Sequence, residues 1–185
     1  MSTSLCKKLI FFGWAAITLS FIATAILNFL MGSMSAKIYS VLDLIISGIS
    51  GLFILGIVSC HVMLYLADRD IIDLAIGVLM AVGIVASFVI SILAGGYGVN
   101  IGLVNIVSGI IGGAYMLPWA FREKDKNPLV MILLGCAFLW SAFGAFALNV
   151  LFGAFDMRIL AAMSNIFAMA CSGIRAFAAF SDMNE

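Results

Sequence analysis

Seven side chains could do chemistry inside the apolar stretches of this chain: one carboxylate, Asp43; four amides, Asn28, Asn105, Asn149 and Asn165; one imidazole, His61; and one guanidinium, Arg175. Each interrupts a run of otherwise apolar residues. In hydrocarbon an unpaired polar group is costly, so each needs a partner, water or a role. Asp43 is the only carboxylate well inside an expected helix. Ionised, it needs water, a cation or a dense set of donors, and without these it becomes neutral. The expected helices bring Asp43 and the four asparagines into the outer half of the membrane. There they form a candidate polar cavity for a cation, a proton or a small polar solute. The structural alternative is that each amide bonds a neighbouring helix while Asp43 reaches the interface or pairs with Lys37. His61 and Arg175 fall in the inner half as candidate polar residues, and the long stem of Arg175 lets it snorkel to water.

Other chemistry is poorly supported. A single histidine excludes a bis-His haem and any His-pair metal site. Cys6, Cys60, Cys136 and Cys171 include no CxxC and lie in or beside apolar runs, as small core-filling residues do. Cys60, His61, Cys136 and Cys171 could meet at one depth as soft ligands, but their spacing does not require it, and neither a metal nor a cofactor is expected. No Ser/His/Asp spacing, HExxH or phosphate loop is present, so no catalytic residues and no enzyme are expected. The turn Asp68-Arg69-Asp70 with Asp73 reads as a solvated loop with a helix cap.

The elements that must position these residues are membrane helices. The chain has 185 residues, 65% hydrophobic and 10% charged, with mean hydropathy +1.25. A soluble domain is about 25% charged, so too little polar surface exists here to cover a soluble globule. The net charge of zero gives no basic patch for nucleic acid. The stretch 74–121 has no charged residue or histidine. It is long enough to cross a roughly 30 Å hydrocarbon core twice, turning at Gly95-Gly96-Tyr97-Gly98-Val99-Asn100. Around it, six helices are expected at about 8–31, 37–66, 71–94, 101–121, 128–152 and 157–180. They form a single all-α domain, 1–185, of three tandem hairpins at about 8–66, 71–121 and 128–180. The apolar run after Lys7-Lys8 reaches residue 31, longer than a signal-peptide core, and reads as an uncleaved first helix. Ser35, Asp70, Asn127 and Asp156 are expected N-caps, with Pro128 at a first helical position. Pro118 predicts a kink or early stop in the fourth helix.

Cation placement orients the bundle. With a cytoplasmic N-terminus, seven cations (Lys7, Lys8, Arg69, Arg122, Lys124, Lys126 and Arg175) face inward against two, Lys37 and Arg158. Both termini are then cytoplasmic. Ser-Gly-Ile recurs at 47–49, 108–110 and 172–174, once on the returning arm of each hairpin, and Leu27-Asn28-Phe29-Leu30-Met31-Gly32 echoes Leu148-Asn149-Val150-Leu151-Phe152-Gly153. Gly109 and Gly113 form a GxxxG, and Gly48 and Gly173 hold related positions. These four glycines are expected to mediate helix packing.

The Gly-Ile step on each even helix, the glycines at 13, 77 and 135 near the start of each odd helix, and the ending Ser172-Gly173-Ile174-Arg175-Ala176-Phe177 together resemble the HdeD-like family of small bacterial membrane proteins. The chain departs from that family in lacking a proline in the outer hairpin loops. The resemblance implies a role in membrane stress response or permeability, in the cytoplasmic membrane of a bacterium, with no catalytic motif to carry over. Size and helix count also fit a transport component, either a channel protomer or the substrate-binding subunit of an uptake system. Short loops without chemistry would equally suit a scaffold subunit of a larger complex. The expected partners are the lipid bilayer and further membrane subunits or copies of the chain itself.

Overall fold

A computed structural model describes residues 2–97, 101–152 and 157–183. Among them helix is the only regular secondary structure: α1 (Thr3–Leu30), a 3-10 turn (Met31–Ser33), α2 (Ala36–Asp68), α3 (Ile71–Tyr97), α4 (Ile101–Gly113), α5 (Met116–Glu123), α6 (Pro128–Phe152) and α7 (Met157–Met183). Among the described residues, four segments are long and apolar enough to cross a membrane: Thr3–Ser33, Ala36–Asp68, Ile71–Ile90 and Ala161–Met183. Pro128–Gly144 is a shorter apolar helix.

Local chemistry sets the helix ends. Ser2 caps α1 and Ser35 caps α2 by accepting from the N–H of Leu5 and Ile38. The Asp70 carboxylate accepts from Ile72 N–H at 2.9 Å and opens α3, and the Asn127 side chain accepts from Val130 N–H and opens α6. The expected cap Asp156 lies outside the described residues. Arg69 closes α2 in the left-handed region, φ 58°, where its N–H reaches Tyr65 O at 2.8 Å. The links between α2 and α3 and between α5 and α6 are therefore short.

The expected fourth helix is two helices. It breaks at Ala114-Tyr115, four residues before Pro118. Proline has no N–H to bond the carbonyl four residues back, and its ring crowds that carbonyl. The ladder resumes as Leu117 N–H reaches Ala114 O at 3.1 Å. On α5, Met116, Trp119 and Glu123 lie on the buried face while Leu117 and Phe121 face outward, the spacing of an amphipathic helix.

The helices close a ring in sequence order. α1 packs on α2, α2 on α3, α3 on α4 and α5, these on α6, α6 on α7, and α7 back on α1 in the most extensive interface among the described residues. The core runs along the inner faces, through Trp14, Ile57, Ile76, Met116, Trp119 and Leu134. Large apolar side chains cover the outside, among them Leu44, Leu52, Phe88 and Phe121, which suits contact with lipid rather than water.

The glycines expected to pack divide into two pairs. A Cβ on Gly109 would overlap the Ser141 carbonyl and come within 3.1 Å of Ala142 Cα. One on Gly113 would meet Met116, Phe138 and Ser141 at 3.2 Å. These two bring α4 against α6. Gly48 and Gly173 instead face open space, with nothing within 4 Å of a Cβ. The Ser-Gly-Ile copies therefore occupy unlike environments. The reason for Gly48 is that α2 has no buried residue before Ile57, so its first half leans on its neighbours only loosely.

Candidate functional site

Two features inside the ring carry chemistry. The first closes the end that holds the termini. His61 on α2 and Asp73 on α3 meet at 2.8 Å through Nδ1 and Oδ1. The same carboxylate oxygen accepts from Arg122 Nη1 at 3.1 Å, and Arg122 Nη2 donates to Asp182 on α7. Lys7 on α1 donates from Nζ to the Asp182 carbonyl at 2.8 Å. One polar chain thus ties α1, α2, α3, α5 and α7 together around a cavity of about 160 Å³. Burial works against charge on Arg122, but Asp182 and Asp73 outweigh it and hold the guanidinium above its ordinary value. Beside it stands Glu123, fully buried, whose carboxylate oxygens make no hydrogen bond of ordinary geometry among the described residues, with Asp182 close by. Burial first, and then the charge of Asp182, pushes Glu123 up to about 7.

The second feature is Arg175. It stands seven residues before Asp182, about 10 Å further along α7 at 1.5 Å per residue. Its guanidinium turns into the ring rather than toward the end, contrary to the snorkelling expected of it. The guanidinium carbon lies 5.1 Å from the Trp14 ring and 5.5 Å from the Tyr115 ring. Those two rings stack on each other at 6.0 Å. Nε points at Met116 Sδ and Nη2 at Ser141 Oγ, each at 3.3 Å. No carboxylate forms an ion pair with Arg175 among the described residues. Arg175 borders a cavity of about 370 Å³ whose walls include Trp14, Phe21, Met80, Gly83, Gly112 and Tyr115. It also borders a second cavity of about 240 Å³ beside Trp140, Ser141 and Ser164.

The outer-half polar set does not come together among the described residues. Asn28 is buried and accepts from the Tyr39 hydroxyl at 2.7 Å, bonding α1 to α2. Asn165 lines a cavity between α1, α2 and α7, but its amide donates to Ala161 O of its own helix at 2.9 Å. Asp43 is half-buried and has no hydrogen bond or ion pair among the described residues. The side chains of Asn105 and Asn149 lie outside the described residues. Asp73 is 6% exposed, so the solvated-loop reading fails for it while holding for the exposed Asp68 and Arg69. Helical spacing carried the signal: Asp73 shares its face with Ile76 and Met80, and His61 with Ile57 and Leu64, all buried. Cys136 is exposed, away from the buried Cys6, Cys60 and Cys171.

No protein-family model matches the chain, and no curated protein or solved structure matches it. The HdeD-like resemblance rests on its short motifs alone.

Proposed function

We propose that this protein is a small, non-enzymatic transport component of a membrane, with a solute site inside its helical ring at Arg175. Six crossings with both termini cytoplasmic complete the reading, supported by the seven-to-two cation asymmetry. The observation that carries it is a guanidinium with no ion pair among the described residues, beside a cavity of about 370 Å³. That volume lies within the range of ligand pockets. A guanidinium keeps its charge in proteins, and a charge at membrane depth without a counter-ion marks a functional position. The network joining His61, Asp73, Arg122 and Asp182 closes one end of the ring, which suits a gate.

Flux into proteoliposomes tests this. Anionic solutes should enter faster than into protein-free vesicles, while matched cationic and neutral solutes should not. Arg175→Gln should remove the difference. Rates equal to protein-free vesicles for all three classes would reject a transport role. A second reading, membrane stress response, is favoured by one observation: Glu123 is fully buried beside Asp182 and is pushed up to about 7, which would make the end network responsive to internal pH.

A further inference from the structure

The walls of the interior restrict the kind of anion that fits. The cavity at Arg175 adjoins a groove of about 300 Å³ between α2 and α3, lined by Gly48, Gly51, Leu52, Ile54, Leu55 and Ile84. Ile54 and Ile84 border both spaces. The groove has no polar side chain in its lining, and Leu52, Leu55 and Ile84 are exposed on its outer side. It exists because Gly48 and Gly51 have nothing within 4 Å and the first half of α2 has no buried residue. The neighbouring route between α1, α2 and α7 is lined by Ser20, Thr24, Ser47, Ser50 and Asn165 and holds no charged side chain. Four of these five polar side chains donate to carbonyls of their own helices, Ala16, Ser20, Ile46 and Ala161, which leaves an anion no cation there and few free donors. At the inner end of the apolar groove, Arg175 uses two of its five N–H donors, on a thioether and a hydroxyl. The remaining donors form part of a planar fork suited to a two-oxygen anion.

We infer that Arg175 is the head-group site for a single-chain amphiphilic anion, a long-chain carboxylate, whose hydrocarbon tail lies in the groove between α2 and α3. Charge complementarity selects the head, and the apolar groove, open on its outer side, selects the tail. The ligand enters sideways from the bilayer, not from water. This rests on reading the interior as a solute site, but it needs binding only, not movement.

The test uses the full chain in non-ionic detergent with a dibrominated long-chain carboxylate, whose bromines quench tryptophan. Trp14 lies against the guanidinium and reports occupancy. Wild type should show saturable quenching that an unlabelled long-chain carboxylate competes away, and that acetate and inorganic phosphate at the same concentration do not. The brominated methyl ester should bind at least tenfold more weakly. Arg175→Gln should weaken the acid at least tenfold with the melting temperature retained. Gly51→Leu, which fills open groove space without touching Arg175, should do the same and decides the matter if Arg175→Gln does not fold. Equal affinity for acid and ester, unchanged affinity in a folded Arg175→Gln or in Gly51→Leu, or competition by phosphate or acetate as strong as by the long-chain acid would each overturn the inference. Saturable Arg175-dependent binding without flux would overturn only the transport role. Flux without such binding would overturn only the ligand class.

Discussion

Glu123 shows how a single buried residue sets the response to pH. Its ordinary value is 4.5, and in the fold it stands at about 7. The folded chain therefore holds its proton more tightly than the unfolded chain. The neutral carboxyl is fully compatible with burial below pH 4.5, and stability falls as pH rises from there through about 7, levelling off above it. The full decrement is about 3 kcal/mol. Glu123→Gln should remove it: melting in detergent at pH 8 should rise relative to wild type, and the two proteins should converge toward pH 5. A constant gap across that range would show that Glu123 does not titrate there. Residue types in the interior were legible in the sequence, their directions much less so. Arg175 stood out as a charge inside an apolar run, but its partners Trp14, Tyr115, Met116 and Ser141 come from separate elements. No local spacing announces such a meeting.

At the scale of elements, approach distance separates glycines that look alike in sequence. Gly109→Ala should destabilise the bundle by about 1–3 kcal/mol, since the added methyl would overlap the α6 backbone. Gly48→Ala should be neutral or slightly stabilising, because alanine is the better helix former and space is open there. Thermal melting in detergent compares them, and equal loss would contradict the packing described. Helix positions were largely legible because hydropathy and capping act locally: Ser35, Asp70 and Asn127 cap as expected. The break at Ala114-Tyr115 was announced by Pro118 but falls four residues ahead of it. The difference between Gly48 and Gly109 was not legible, since it depends on which neighbour each helix face meets.

For the whole molecule, the topology can be checked at two positions. In a background free of the four native cysteines, Ser33→Cys should react with an impermeant thiol reagent from outside, and Lys124→Cys only after the membrane is opened. The reverse pattern would invert the protein. Closure of the ring has a further consequence, in time rather than space. α1 is made well before α7, yet the two share the most extensive interface among the described residues. Until α7 is made, Lys7 lacks its bond to the Asp182 carbonyl and Trp14 lacks the Arg175 guanidinium. The nascent chain is then an open crescent with an unpaired helix at each rim. At 5–20 residues per second, the 27 residues of α7 take roughly 1–5 s to synthesise. In that interval the facing sides of α1 and α6 lack the helix that covers them in the closed ring. Closure of the ring thus waits on α7, and a chain that stops short of it keeps an open seam.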